Sequence, residues 1–167
     1  ALMDLVRGSA ADYPDAPALE FFGRVTSYRE LNDAIERAAA GLYAQGVRRG
    51  DPVALVLPNC SQHIVAFYAV LRLGAIVVEH NPLYTPRELR KQFEDHGAKH
   101  AIVWSQVAKT IQEFPKDLAV SSLVSIDITR GMPGYMRAAL RLPTPKLREP
   151  RAQLTEPGRG AVRLESI

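Results

Sequence analysis

Apolar positions along this chain change period several times, and each change marks a new element. Leu2, Leu5 and Val6 have helical spacing and stop at the Tyr13-Pro14-Asp15 turn. Ala18–Phe22 and Arg24–Tyr28 read as two short strands around Gly23, a hairpin in outline. Ser27-Tyr-Arg-Glu30 is a capping box, in which a Ser oxygen accepts from the backbone while Glu30 reaches back. Leu31, Ile35, Ala38, Ala39 and Leu42 then mark one face of a helix ending near Gly46. Val53–Leu57 is a short apolar run that suits a strand buried on both faces. After the Pro58–Ser61 turn, Gln62–Leu73 predicts a largely apolar helix closed by Gly74, and Ala75–Val78 a second buried strand. Thr85-Pro-Arg-Glu88 repeats the capping logic, with Pro86 at the first helical position, where a missing N–H costs nothing. Leu89 and Phe93 continue that helix to Gly97. Ala101–Trp104 predicts a strand, Ser105–Phe114 a helix and Leu123–Ile128 another strand.

From Val53 onward the order is therefore strand-helix-strand-helix-strand-helix-strand. Right-handed crossovers of this kind give an α/β fold, a mostly parallel sheet flanked by helices on both faces. Such sheets take ligands beyond the carboxyl ends of their strands, here the loops Pro58–Ser61, Glu79–Thr85 and Trp104–Gln106. Charge divides the chain: residues 1–127 hold 13 Lys/Arg against 15 Asp/Glu, whereas residues 128–167 hold 8 against 3 and five of the 12 prolines. This predicts an α/β unit over residues 1–130 and a basic, proline-containing tail over 131–167, read as a linker or a truncated continuation. Tyr135 is the tail's only aromatic residue, which argues against a nucleic-acid arm. Cys60 is the single cysteine, which excludes a disulfide framework and a cysteine-built zinc site and fits a reducing compartment. No apolar run approaches the length of a membrane span, and no signal sequence opens the chain, so the expected location is cytoplasmic. The lack of Met at position 1 suggests that Ala1 is not the natural start.

The phosphate-binding motifs of open sheets are missing. There is no Gly-x-Gly-x-x-Gly and no Gly-x-x-x-x-Gly-Lys-Ser/Thr, and the turn after Val53–Leu57 holds no glycine to let backbone N–H groups approach a phosphate. Cys60 and His63 stand as a nucleophile–base candidate at a helix start, but capping explains a small polar residue there, and no orienting third group is visible. His96 and His100 have zinc-helix spacing, yet Gly97 between them reads as a helix end, which leaves two surface imidazoles. Glu79 and His80 are adjacent on a strand and so point to opposite faces. Asp4, Asp12 and Asp15 look like helix-flank and turn residues. Met132, Tyr135, Met136, Ala139 and Leu140 with Arg137 and Arg141 form a short basic amphipathic stretch that suits a membrane surface or, more commonly, packing on its own protein. No catalytic, cofactor-binding or metal-binding residue is assigned.

Ser9–Asn32 resembles the entry region of the adenylate-forming enzymes, the superfamily of acyl-CoA synthetases, luciferases and peptide-synthetase adenylation domains. Thr26-Ser-Tyr-Arg-Glu-Leu31 is similar to its first core motif, and Leu71-Arg-Leu-Gly-Ala-Ile-Val-Val-Glu-His-Asn-Pro82 to its second. Leu83-Tyr-Thr-Pro-Arg-Glu-Leu89 and Asp95-His-Gly97 resemble bacterial long-chain fatty acid–CoA ligases more narrowly. The likeness covers about residues 1–130, and Leu154–Ile167 carries little of it. It implies the opening part of a large N-terminal region, built in the family from two helix-flanked sheets and a distorted barrel and followed by a small mobile domain. It also implies a two-step reaction, in which a fatty carboxylate attacks Mg·ATP and CoA then displaces AMP, so ATP, Mg2+ and CoA belong to the full-length enzyme. The family's phosphate loop, its adenine and Mg2+ segment, its ribose Asp and its catalytic Lys have no match here. The expectation is an N-terminal piece that is inactive alone and binds no cofactor. Tyr28, Glu30, Gly74, Asn81 and Pro82 then serve architecture. Its expected partner is the rest of the ligase chain, with self-association through exposed apolar surface. The alternative is a stand-alone interaction or membrane-surface domain derived from such a ligase, with weak peripheral membrane contact. No nucleic-acid partner is expected.

Overall fold

Local signals set the first third of the molecule. In the computed structural model, which describes residues 2–118, 120–142, 149, 154 and 161–166, α1 (Leu2–Asp12) runs into the Tyr13–Asp15 turn. β1 (Pro17–Phe21) and β2 (Arg24–Ser27) pair antiparallel across Phe22 and Gly23. Both loop residues have positive φ, 51° and 80°, the backbone that a two-residue hairpin needs to match the strand twist. The Ser27 box is complete: Ser27 Oγ accepts from Glu30 N, and the Glu30 carboxylate accepts from Ser27 N at 2.8 Å. It starts α2 (Tyr28–Ala44), whose Leu31 and Ile35 close a small cluster with Val6, Ala18 and Leu19.

The remaining strands are β3 (Pro52–Val56), β4 (Ile76–His80), β5 (His100–Trp104), β6 (Ser122–Ile126) and β7 (Val162–Arg163). They form one parallel sheet in the order β4-β3-β5-β6-β7. Alternation along β3 shows how the two faces are used. Val53, Leu55 and Leu57 pack with Ala38 and Leu42 of α2 and with Ala66 and Val70 of α3 (Ser61–Arg72). Ala54 and Val56 face the other way, onto Leu89 and Phe93 of α4 (Pro86–His96) and Ala108 and Ile111 of α5 (Ala108–Gln112). The sheet is thus covered on both sides, as the apolar run in β3 predicts. Thr85 and Glu88 form the second capping box, and Gly97 ends α4 in the left-handed conformation, φ 61°.

Three expectations need correction. The strand expected at Ala75–Val78 starts one residue later and reaches His80, and it lies at the sheet edge with Ile76 54% exposed, so it is not buried on both faces. The helix expected from Ser105 begins only at Ala108, because Val107 N turns back to Trp104 O at 2.8 Å and no side chain caps the start. β6 stops at Ile126, two residues early. Asp127 Oδ1 accepts from Thr129 N and Oγ1 and folds Ile128–Gly131 into a 3-10 turn, local competition typical of Asp. In the basic tail, Val162–Arg163 pairs with β6 at the sheet edge and Leu164 is buried in the main core. Residues 143–148, 150–153 and 155–160 of that tail lie outside the described residues.

Candidate functional site

β3 has β4 on one side and β5 on the other, and the helices joining them run on opposite faces. That reversal opens a crevice at the carboxyl ends of the strands. Here it is an open cleft of about 500 Å3 whose walls include Pro58, Asn59, His63, Glu79, Asn81 and Trp104. All three loops singled out from the sequence meet around it.

Inside the cleft the side chains pair differently from their order in sequence. His63 Nε2 lies 3.0 Å from both carboxylate oxygens of Glu79. The imidazole therefore has the orienting group that linear reading missed, but it is engaged by Glu79. Cys60 is buried at the start of α3 and its side chain makes no cap bond. Glu79 and His80 do face apart: the His80 ring lies under α4, its Nδ1 bonded to Gln92 Oε1 and its face stacked on Phe93. His96 meets His80 with ring centroids 5.0 Å apart and accepts from Ala98 N through Nδ1. His100 sits elsewhere, 3.7 Å from Asp51. His96 and His100 are thus half-buried, not surface groups, because the turn at Gly97 folds both rings back onto the domain. The signal for these cross-pairs lay in the βαβ pattern: parallel pairing sets Leu55 beside Glu79 and Val56 beside His80, at the edge from which α3 departs.

The motif residues occupy turns and caps. Tyr28 N donates to Ala16 O (3.1 Å), tying the start of α2 to the turn before β1. Glu30 completes the cap and lines a second cleft, of about 470 Å3, with Arg24 and Arg37. Gly74 has φ 69°, and a Cβ there would also meet Arg49 Cγ at 3.2 Å. Asn81 Oδ1 accepts from Leu83 N (2.9 Å) and Asn81 O from Tyr84 N (3.1 Å), a side-chain-supported turn that carries Pro82 at the cleft mouth.

Burial holds the His80 imidazole below its ordinary value of 6.5, against the Gln92 bond and the Glu79 charge that favour the proton. His96 is lowered too, first by burial and then by His80, with Asp95 opposing. Both groups therefore protonate more readily in the unfolded chain than in the fold. Their contribution is present above about pH 6.5 and is lost as pH falls through that value toward the lowered native ones. Melting temperature should therefore drop between about pH 7 and pH 5.5, and His96→Phe should flatten the drop. Identical slopes in the two proteins would remove the imidazole pair as the cause. The capping carboxylates Glu30 and Glu88, lowered by their backbone hydrogen bonds, contribute fully above their ordinary value of 4.5 and lose that contribution only as pH falls below it.

The cleft does not fit Mg·ATP by its own residues. No Lys or Arg lines it among the described residues, Glu79 would repel a triphosphate, and the turn after β3 has no glycine. No group of three or more His, Cys, Asp or Glu side chains suited to a metal occurs among the described residues. Trp104 Nε1 and His80 Nε2 are both buried without a hydrogen-bond partner among those residues.

A doubly wound sheet with a cleft at its switch point defines an α/β domain of the open parallel-sheet class. Residues 6–150 match the family described as AMP-binding enzyme, and the chain belongs to that family. It is 40% identical over 125 residues to the long-chain-fatty-acid–CoA ligase of Escherichia coli O6:H1, covering 74% of this chain and 22% of that protein. The corresponding ligase of Bacillus subtilis is 37% identical over 127 residues, with 75% and 21% covered. The chain therefore spans about a fifth of the length of these relatives and matches their N-terminal part. An inhibitor-bound crystal structure of the N-terminal domain of FACL13 from Mycobacterium tuberculosis superposes with a TM-score of 0.68 at 25% identity, covering 77% of this chain and 34% of that one. Among the described residues no helix is long and apolar enough to cross a membrane.

Proposed function

We propose that this chain is the N-terminal part of an ATP-dependent long-chain fatty acid–CoA ligase and forms no acyl-adenylate alone. The observation that carries this reading is the match itself: 40% identity along most of this chain but 22% of a curated ligase. Two structural features support it. Among the described residues β4 pairs only with β3, leaving an open sheet edge with Ile76 outward. Leu83 and Tyr84 project beside the cleft mouth, apolar surface suited to further ligase chain. Without donors that stabilise charge at a reacting phosphate, the largest catalytic contribution is missing from the cleft. ATP, Mg2+ and CoA are handled in the complete ligase, and the rest of that ligase is the principal partner.

The test is ATP–pyrophosphate exchange with a long-chain fatty acid and Mg2+. The chain alone should give none. A chimera carrying residues 6–130 in place of the matching stretch of the Escherichia coli ligase should retain exchange. Turnover by the chain alone, or a folded chimera without exchange, would defeat the proposal. The alternative, a stand-alone membrane-surface domain, draws on α6 (Gly134–Arg141), which buries no residue and leaves Tyr135 73% exposed beside Arg137 and Arg141.

A further inference from the structure

The opposite edge of the sheet carries a cleft of a different chemistry. Beyond the carboxyl ends of β6 and β7, a cavity of about 430 Å3 is lined by Asp127, Thr129, Arg130, Arg137, Leu140, Arg141 and Arg163. Three separate elements deliver the arginines. Arg130 comes from the 3-10 turn after β6, Arg137 and Arg141 from successive turns of α6, and Arg163 from β7, in register with Ser125. Arg130 is anchored through its backbone, where its carbonyl accepts from Arg24 Nη1 at 3.2 Å.

Among the described residues the charge in this cleft is uncompensated. Asp127, the one carboxylate among its described lining residues, is occupied within its own turn, with Oδ1 accepting from Thr129 N at 3.0 Å and Thr129 Oγ1 at 2.6 Å. None of the four guanidinium groups has an ion pair or side-chain hydrogen bond with another described residue. Like charges converge here against their mutual repulsion, which an anion would relieve. Among the described residues Leu140 is the sole apolar one in the lining and no aromatic ring lines the cavity, so they offer no wall to a fatty chain or a stacked base. Guanidinium forks match phosphate oxygens two at a time, and several forks favour a multiply charged group over a single carboxylate.

We propose that this arginine cleft is a binding site for a phosphate group carrying two or more charges, either in a soluble phosphate ester or in a lipid headgroup. The inference does not rest on the ligase reading. Calorimetric titration of the whole chain at low salt with inorganic pyrophosphate is expected to show saturable binding. Arg137→Gln with Arg141→Gln should weaken it by about tenfold or more, as loss of charged hydrogen bonds implies. α6 buries no residue, so this variant should stay folded, and Arg163→Gln provides a second, independent reduction. The control is Arg87→Gln with Lys91→Gln, which removes the same charge at the same spacing from exposed positions of α4. The source is separated by flotation with phosphatidylcholine vesicles with and without phosphatidic acid. Capture only by phosphatidic acid, competed by pyrophosphate and lost in the α6 variant, assigns the headgroup. Pyrophosphate binding without capture assigns a soluble ester. No saturable binding in either assay, or equal loss in the α4 control, would overturn the site.

Discussion

Phe93→Ala should destabilise the chain by about 3–5 kcal/mol, which for a domain of this size lowers the melting temperature by roughly 10 °C. Phe93 is 1% exposed and fills the space between α4 and the sheet, against Val56, Ala101 and Val103. Its ring also touches three others: it stacks on His80 at 5.4 Å, tilts against His96 at 4.8 Å and meets Phe114 edge-on at 5.3 Å. Truncation removes buried area and leaves a void that a sheet–helix contact closes only in part. It also removes the apolar wall that keeps water from His80 and His96, so the acid sensitivity above pH 5.5 should shrink in the same variant. Chemical unfolding measures both, with Phe93→Leu as the milder companion if the alanine variant fails to fold. A loss below about 1 kcal/mol would show that α4 is not packed as described.

Leu55→Ala should cost about 2–5 kcal/mol on the opposite face. Leu55 is fully buried in the interior strand β3, where Glu79 of β4 and Ile102 of β5 flank it. Its side chain lies under α2 and α3, in the cluster that holds Leu42 and Val70. The urea midpoint should fall while the slope stays constant, since the fold and its unfolded exposure are unchanged. Because Leu55 and Phe93 belong to separate clusters on two faces, their costs should add within about 0.5 kcal/mol. Strong coupling between them would mean that the sheet transmits strain from one layer to the other.

Legibility followed the range of the interaction. The capping boxes at Ser27 and Thr85 and the helix end at Gly97 each depend on atoms within four residues, and all appear in the structure as spelled. Paired chemistry was harder to read. Cys60 with His63, and Glu79 beside His80, are neighbours in sequence, whereas the contacts formed are His63 with Glu79 and His80 with Gln92, Phe93 and His96. Each of those crosses from β4 to a helix, so it depends on parallel pairing that no linear spacing encodes. The arginine cleft was invisible for the same reason. Arg137 and Arg141 read as one face of a basic stretch, and nothing in the sequence says that Arg130 and Arg163 join them.

By itself the sequence determined the alternation of helix and strand, the two-faced burial of β3, the position of the switch-point loops and the family. These follow from apolar period, from caps and turns, and from motif identity, all carried by contiguous residues. Tertiary structure alone decided which strand lies at the edge, where β7 attaches and which titratable groups share a space. Those outcomes depend on strand order and on crossovers that bring distant segments together. An imidazole, a carboxylate or a guanidinium takes its chemistry from whatever that folding sets beside it.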